Sequence, residues 1–332
     1  TTYDHTAYFI HSSSENVPIA LTTLYEWMAH GKWTKAEYER ENGVIIKEMQ
    51  RANSNVRRQI YQHSQSLFYK DSPYRYPVIG YQPVFEAITS DDLMDYYKTQ
   101  YVPENMIIVV GGNVSENAIV AQLNDTFGNI AQDSVPIRYI GSEKRLISSS
   151  KTNVAMPELG ASRIAFRYPS VSFYHPDVYP LDLLAFVLGN GQQSVFYQEF
   201  VVRQQIATSV SVSSITPAND YGYFEIFLET ELPYDQVEEK VTAYIERLQR
   251  KGFSQKQINR AKKQKETNYV FAQTSLSNYL KQIGQSMVMG QNPLFYQQYS
   301  TNFSSVTNDD LQAMMAIYLT NDRKQSYVFK SQ

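Results

Sequence analysis

The chain has no cysteine among its 332 residues, which excludes disulfide bonds, thiolate zinc sites and cysteine nucleophiles and leaves the redox character of its compartment open. It also has no uninterrupted apolar run of about 18 residues, so no helical membrane span is expected. Neither sign of charge dominates: 30 Lys and Arg stand against 33 Asp and Glu, a formal net charge of −3, and that balance asks for neither nucleic acid nor an anionic membrane as partner. The first residues, TTYDHTAYFI, have neither a basic n-region nor an apolar h-region, so any targeting signal is expected outside this sequence. What is present in quantity is aromatic: 27 Tyr and 16 Phe, which read as packing on sheets and helix faces ahead of a dedicated aromatic binding surface. The length predicts two domains of ordinary size.

An internal repeat organises the chain. Thr89-Ser-Asp-Asp-Leu93, a helical run to Tyr101 and an expected strand Met106–Val110 recur as Thr307-Asn-Asp-Asp-Leu311, a helical run to Tyr318 and an expected strand Gln325–Phe329, at an offset of 218. Upstream, Pro18 opens a helix that ends before Gly31, and Pro233 opens one that ends before Gly252. Thr34 and Ser254 then stand as N-caps, with Thr34-Lys-Ala-Glu37 a full capping box, and the proline-free stretches that follow predict long helices to about Phe68 and about Met289. Alternation predicts strands at Thr6–Ile10, Ile206–Ser213 and Tyr221–Leu228, the last two joined as a hairpin through Pro217-Ala-Asn-Asp220. Helices are expected at Tyr174–Leu188 and Ser194–Val202, with Gly189-Asn-Gly191 as a helix-ending turn.

The fold class is therefore α+β, two tandem homologous domains, each a mostly antiparallel sheet with helices on one face. The expected boundaries are 1–141, a polar linker 142–152, and 153–332. In the second copy about 70 residues precede the strand that matches Thr6–Ile10, so a complete first copy is expected to have comparable elements before Thr1.

Five histidines, His5, His11, His30, His63 and His175, stand in neither H-x-x-E-H nor H-E-x-x-H, and each reads as a surface or satisfied core residue. No nucleophile elbow or phosphate loop occurs in strand–turn–helix context. The acids of the first long helix stand out: Glu41 and Glu48 are two turns apart on one face beside Val44 and Ile45. The bland reading is a solvated charged face. Against it, the second copy has Ala261 and Asn268 in those places, so packing of the unit does not demand acids there.

Thr6-Ala-Tyr8, Glu41 and Glu48 within E-N-G-V-I-I-K-E-M-Q, Ser72-Pro-Tyr-Arg-Tyr-Pro-Val-Ile-Gly80, Tyr101-Val-Pro-Glu-Asn105 and Val109-Val-Gly-Gly-Asn113 run in the order of the pitrilysin/insulinase family of zinc metallopeptidases, which includes the mitochondrial processing peptidases. The resemblance covers nearly the whole chain and is strongest in its first third. It implies a zinc endopeptidase acting on extended peptides, in which an H-x-x-E-H gives two His ligands and a Glu general base. By that alignment Glu48 matches the third zinc ligand and Glu41 a supporting acid near the metal. The H-x-x-E-H would lie about 30 residues before Thr1, so zinc is expected in the complete protein, none on this fragment, and no activity from the fragment alone. The family's Arg/Tyr pair in the second domain, which steadies substrate and oxyanion, is replaced by Val201 and Thr208, with Arg203 two residues out of register. Implied partners are a peptide substrate and a second homologous half or subunit. The alternative is a non-catalytic partner subunit or degenerate half. Between bacterial periplasm and cytoplasm, the expectation leans to periplasm.

Overall fold

The computed structural model describes residues 1–130, 148–157, 159–290 and 292–331. The first copy contributes helices α1 (Val17–Ala29), α2 (Lys35–Asn53), α3 (Val56–Phe68), α4 (Gln82–Glu86), α5 (Ser90–Gln100) and α6 (Glu116–Asp125). The second contributes β1 (Ser150–Ala155), β2 (Ser162–Pro169), α7 (Val178–Gly189), β3 (Ser209–Ile215), β4 (Tyr223–Thr230), α8 (Tyr234–Lys251), α9 (Gln255–Gln273), α10 (Leu276–Gly290), α11 (Phe295–Ser305), α12 (Asn308–Tyr318) and β5 (Gln325–Lys330). A π-helix, Tyr197–Arg203, lies between α7 and β3.

Local side-chain chemistry sets the helix starts. Thr34, Thr89, Ser254 and Thr307 each close a capping box, with Glu37, Asp92, Gln257 and Asp310 reaching back to the cap's own N–H. The repeat holds in its helices: α2 and α9 are both 19 residues long, 220 apart, and α5 and α12 are both 11 residues long, 218 apart. The two expected long helices are each divided, at Ser54-Asn55 and at Thr274-Ser275. Freedom from proline does not suffice for one continuous helix here, because the Asn55 side chain accepts from the Arg58 N–H and starts α3 afresh.

The single sheet among the described residues runs β1-β5-β2-β4-β3 and is mixed, with β1 parallel to β5 and the other pairs antiparallel. The hairpin forms as expected, shifted by two or three residues, and Gly191 takes φ 77° in the helix-ending turn. The expected linker 142–152 is corrected at its end: Ser150–Thr152 belong to β1, while 142–147 lie outside the described residues. Helix α7 starts at Val178, four residues after the expected Tyr174. Thr6–Ile10 and Met106–Val110 are not strands, since an extended segment becomes one only with a ladder partner and none pairs with them among the described residues.

Alternation divides the sheet into two faces. Ile164, Phe166 and Tyr168 of β2 with Phe224, Ile226 and Leu228 of β4 face a core built with α7, α8, α9 and α12. Ala165 of β2, Tyr223 of β4, and Tyr327 and Phe329 of β5 face the other way, onto Ile60, Phe68, Tyr69 and Tyr74 of the first copy. The two copies pack reciprocally. Helix α3 meets β5, and its counterpart α10 meets residues 109–112, where a Cβ on Gly111 would stand 2.6 Å from a Leu280 methyl.

Candidate functional site

Helix α2 is held in place by three kinds of contact. The Thr34 box fixes its start, and the two hydrogen bonds from Thr34 hold the Glu37 carboxyl below the usual carboxylate range. Tyr38 donates to the Ile88 carbonyl at 2.6 Å, tying the helix to the turn before α5. Met49 and Ala52 are buried on the face that turns inward, and the 72–80 segment closes over it, with Gly80 beside Met49.

Glu41 and Glu48 flank that buried stripe and are both exposed. The Glu41 side chain is 59% exposed and pairs with its neighbour Arg40, Nε to Oε1 3.1 Å. In the second copy, Ala261 occupies the position of Glu41 and is 2% exposed, buried in the core that α7 lines, whereas Asn268, at the position of Glu48, is exposed. In α9 the position that matches Glu41 lies on the side that packs against α7. Acids at both positions of α2 are not a requirement of packing.

The histidines are scattered. His11 bonds Ser277 at 2.7 Å, His30 bonds Glu26 at 3.1 Å, His5 bonds Thr2 at 3.0 Å, His175 lies 3.7 Å from Asp177, and His63 is exposed on α3. A structural or catalytic zinc needs at least three protein donors. No group of three or more His, Cys, Asp or Glu among the described residues comes together to hold a metal ion, so the residues present do not by themselves fit a zinc ion.

Val201 lies on the π-helix, half-buried against the main core, and Thr208 is exposed at the start of β3, its N–H on the Glu229 carbonyl at 2.8 Å. Neither side chain offers a cationic donor to an oxyanion as an arginine would, and the Thr208 hydroxyl donates to the Glu229 carbonyl at 3.3 Å. Arg203 is engaged with the buried Glu199 at 2.8 Å, and Gln204 donates to the same carboxylate at 2.9 Å.

Sequence reasoning missed a polar centre between the two copies. Arg167 of β2 is 1% exposed, its Nε bonds Glu225 at 2.5 Å and its Nη1 bonds Gln65 of α3 at 2.8 Å. Burial alone would lower its pKa, but the facing Glu225 carboxylate outweighs this and raises it. The signal was there: a lone arginine in the apolar run Ile164-Ala-Phe-Arg-Tyr168 and a lone glutamate in Tyr223-Phe-Glu-Ile-Phe227 predict a cross-strand pair.

Comparison with known proteins accords with the geometry. The description "Peptidase M16 inactive domain" matches residues 87–265, more than half of the chain, and "Insulinase (Peptidase family M16)" matches residues 1–82. A mitochondrial-processing peptidase subunit beta of Lentinula edodes is 20% identical, over 96% of this chain and 71% of its own length. An uncharacterized zinc protease of Rickettsia bellii is 24% identical, over 86% of this chain and 68% of its own. Among solved structures, a protease from Helicobacter pylori superposes with a TM-score of 0.85 at 19% identity, covering 96% of this chain and 78% of that one. A peptidase M16 inactive domain from Pseudomonas fluorescens gives 0.82 at 15% identity, covering 96% and 76%. With its duplicated helices, its single mixed sheet and both family descriptions in sequence order, the chain belongs to the insulinase family of peptidases, M16.

Proposed function

We propose that this chain serves as one half of a zinc-dependent M16 peptidase acting on extended peptides, with α2 contributing Glu48 as a single metal donor and Glu41 as a supporting acid. The observation that carries this reading is the α2–α9 register: the same helix, of equal length, has acids at two positions where its twin has a buried alanine and an exposed asparagine. A carboxylate suits a third ligand because it offsets the charge of the dication. The chain alone lacks the remaining donors among its described residues, so hydrolysis requires them from elsewhere.

The second reading, a non-catalytic partner that completes a chamber and contacts substrate, draws on Val201 and Thr208, which offer no cationic or phenolic donor to a reacting carbonyl. One assay separates the two. The purified chain is incubated with a fluorogenic unstructured peptide and zinc, alone and with a co-expressed M16 polypeptide that carries H-x-x-E-H. The chain alone is expected to be silent. In the mixture, loss of cleavage on Glu48→Ala supports the metal-donor role, and cleavage indifferent to Glu48→Ala supports the partner role. Cleavage by the chain alone, abolished by chelator and by Glu48→Ala, would overturn both the partner reading and the requirement for donors from elsewhere.

A further inference from the structure

The interface between the copies is reciprocal in its helices but not in its chemistry. On one side α3 delivers Gln65, Phe68 and Tyr69, all buried, onto the outer face of the sheet, and Tyr69 donates to the Tyr221 carbonyl at 3.0 Å. On the other side Leu276, Leu280 and Gly284 of α10 meet Gly112, Gly111 and Val109, and its polar contacts, His11 with Ser277 and Lys281 over the Phe9 ring at 3.7 Å, are exposed. Among the described residues, only the first side contains a buried charge. Arg167 sits on the central strand opposite Glu225, lies 4.0 Å from the Tyr223 ring centroid, and presents Nη1 to Gln65.

We propose that Arg167 is a positioning residue: it sets the angle at which the first copy, and with it α2, is docked on the second. The ion pair with Glu225 is complete within the sheet and needs nothing from the first copy. The hydrogen bond to Gln65 does need it, because a buried guanidinium N–H without an acceptor is costly and the planar fork donates only along fixed directions. Tilting α3 by a few degrees would break that bond while the surrounding rings still touched, so apolar contact alone leaves the angle less determined. A buried ion pair is a poor net stabiliser compared with apolar groups of similar volume, and its attested use is to select one arrangement among several. This inference concerns the geometry between the copies and stands whether or not Glu48 binds metal.

The absence of native cysteine makes the test direct. Spin labels on Glu39→Cys of α2 and Lys240→Cys of α8, both exposed, report the distance between copies by pulsed electron resonance. Gln65→Leu, which leaves both members of the second copy's ion pair in place and removes only the acceptor from the first copy, is expected to widen the distance distribution about twofold, whereas Gln65→Glu keeps it narrow. Arg167→Met combined with Glu225→Leu is expected to keep far-UV circular dichroism and widen the distribution likewise, and it decides the matter alone should Gln65→Leu fail to fold. A distribution unchanged in these variants, or widened equally by Ser277→Ala on the reciprocal side, overturns the proposal.

Discussion

Exchanging residues between α2 and α9 separates a packing role from a chemical one. Ala261 is 2% exposed, one turn after Ile258 at 1%, in the core that includes α7. Glutamate there adds atoms to filled space, which costs about 1–3 kcal/mol by overpacking. Placing a carboxylate in an apolar site without a designed partner adds roughly 1–3 kcal/mol. Ala261→Glu is therefore expected to destabilise the second copy by about 2–6 kcal/mol in sum. At about 2–4 °C per kcal/mol this lowers the Tm by roughly 10 °C. Glu41 has the same helix position but a side chain 59% exposed, paired with an arginine that is 67% exposed. Glu41→Ala is expected to change stability by less than about 0.5 kcal/mol. Thermal and urea unfolding followed by far-UV circular dichroism measures both variants, and fluorescence of Trp27 and Trp33, both in the first copy, reports that copy separately. Ala261→Met serves as the apolar control of similar length and retains the overpacking cost alone. If Glu41→Ala proved as damaging as Ala261→Glu, or if Ala261→Glu were neutral, the acids of α2 would be structural and the register argument would fail.

Further expectations concern single positions. Gly222→Ala would place a Cβ 1.7 Å from the Ile215 carbonyl oxygen, so it should break the end of the β3–β4 hairpin, costing about 3 kcal/mol or more in an unfolding titration. Thr307→Ala removes the cap of α12 and should cost about 1 kcal/mol; the hydrogen bonds from Thr307 also hold the Asp310 carboxyl below its ordinary value, so in the variant its NMR titration midpoint should move up. In the unsubstituted chain the stability that Asp310 contributes is present above the ordinary carboxylate value and is lost as pH falls through the lowered one. Asp182 has the opposite sign: burial pushes its carboxyl up despite the Tyr299 hydroxyl bond and nearby Lys265. The native state then holds that proton more tightly than the unfolded chain, and stability falls as pH rises from the ordinary value through the raised one. Asp182→Asn should flatten that part of a plot of urea midpoint against pH.

Much of the secondary structure was legible because its causes are local. The Thr34, Thr89, Ser254 and Thr307 caps are decided by side chains three residues apart, and the alternation in Tyr221–Leu228 announces a two-faced strand. The same local reading joined α2 to α3 and α9 to α10, because Asn55 and Ser275 do not forbid a helix as proline would, though each can begin a new one. Glu41 and Glu48 could be picked out by comparing the copies, but their exposure could not be read from one helix. Val201 and Thr208 could be named by alignment, yet the π-helix that carries Val201 and bends the chain before β3 has no simple sequence signature.

The repeat, the caps, the hairpin and the lack of thiols follow from the sequence by itself, since each depends on neighbours a few residues away or on composition. Three other features were decided only by tertiary structure: that β1 runs parallel to β5 across a separation of 175 residues, that Thr6–Ile10 and Met106–Val110 remain outside any ladder among the described residues, and that Arg167 meets Gln65 from the other copy. A strand is defined by its partner and a buried charge by whatever surrounds it, and chain distant in sequence supplies both.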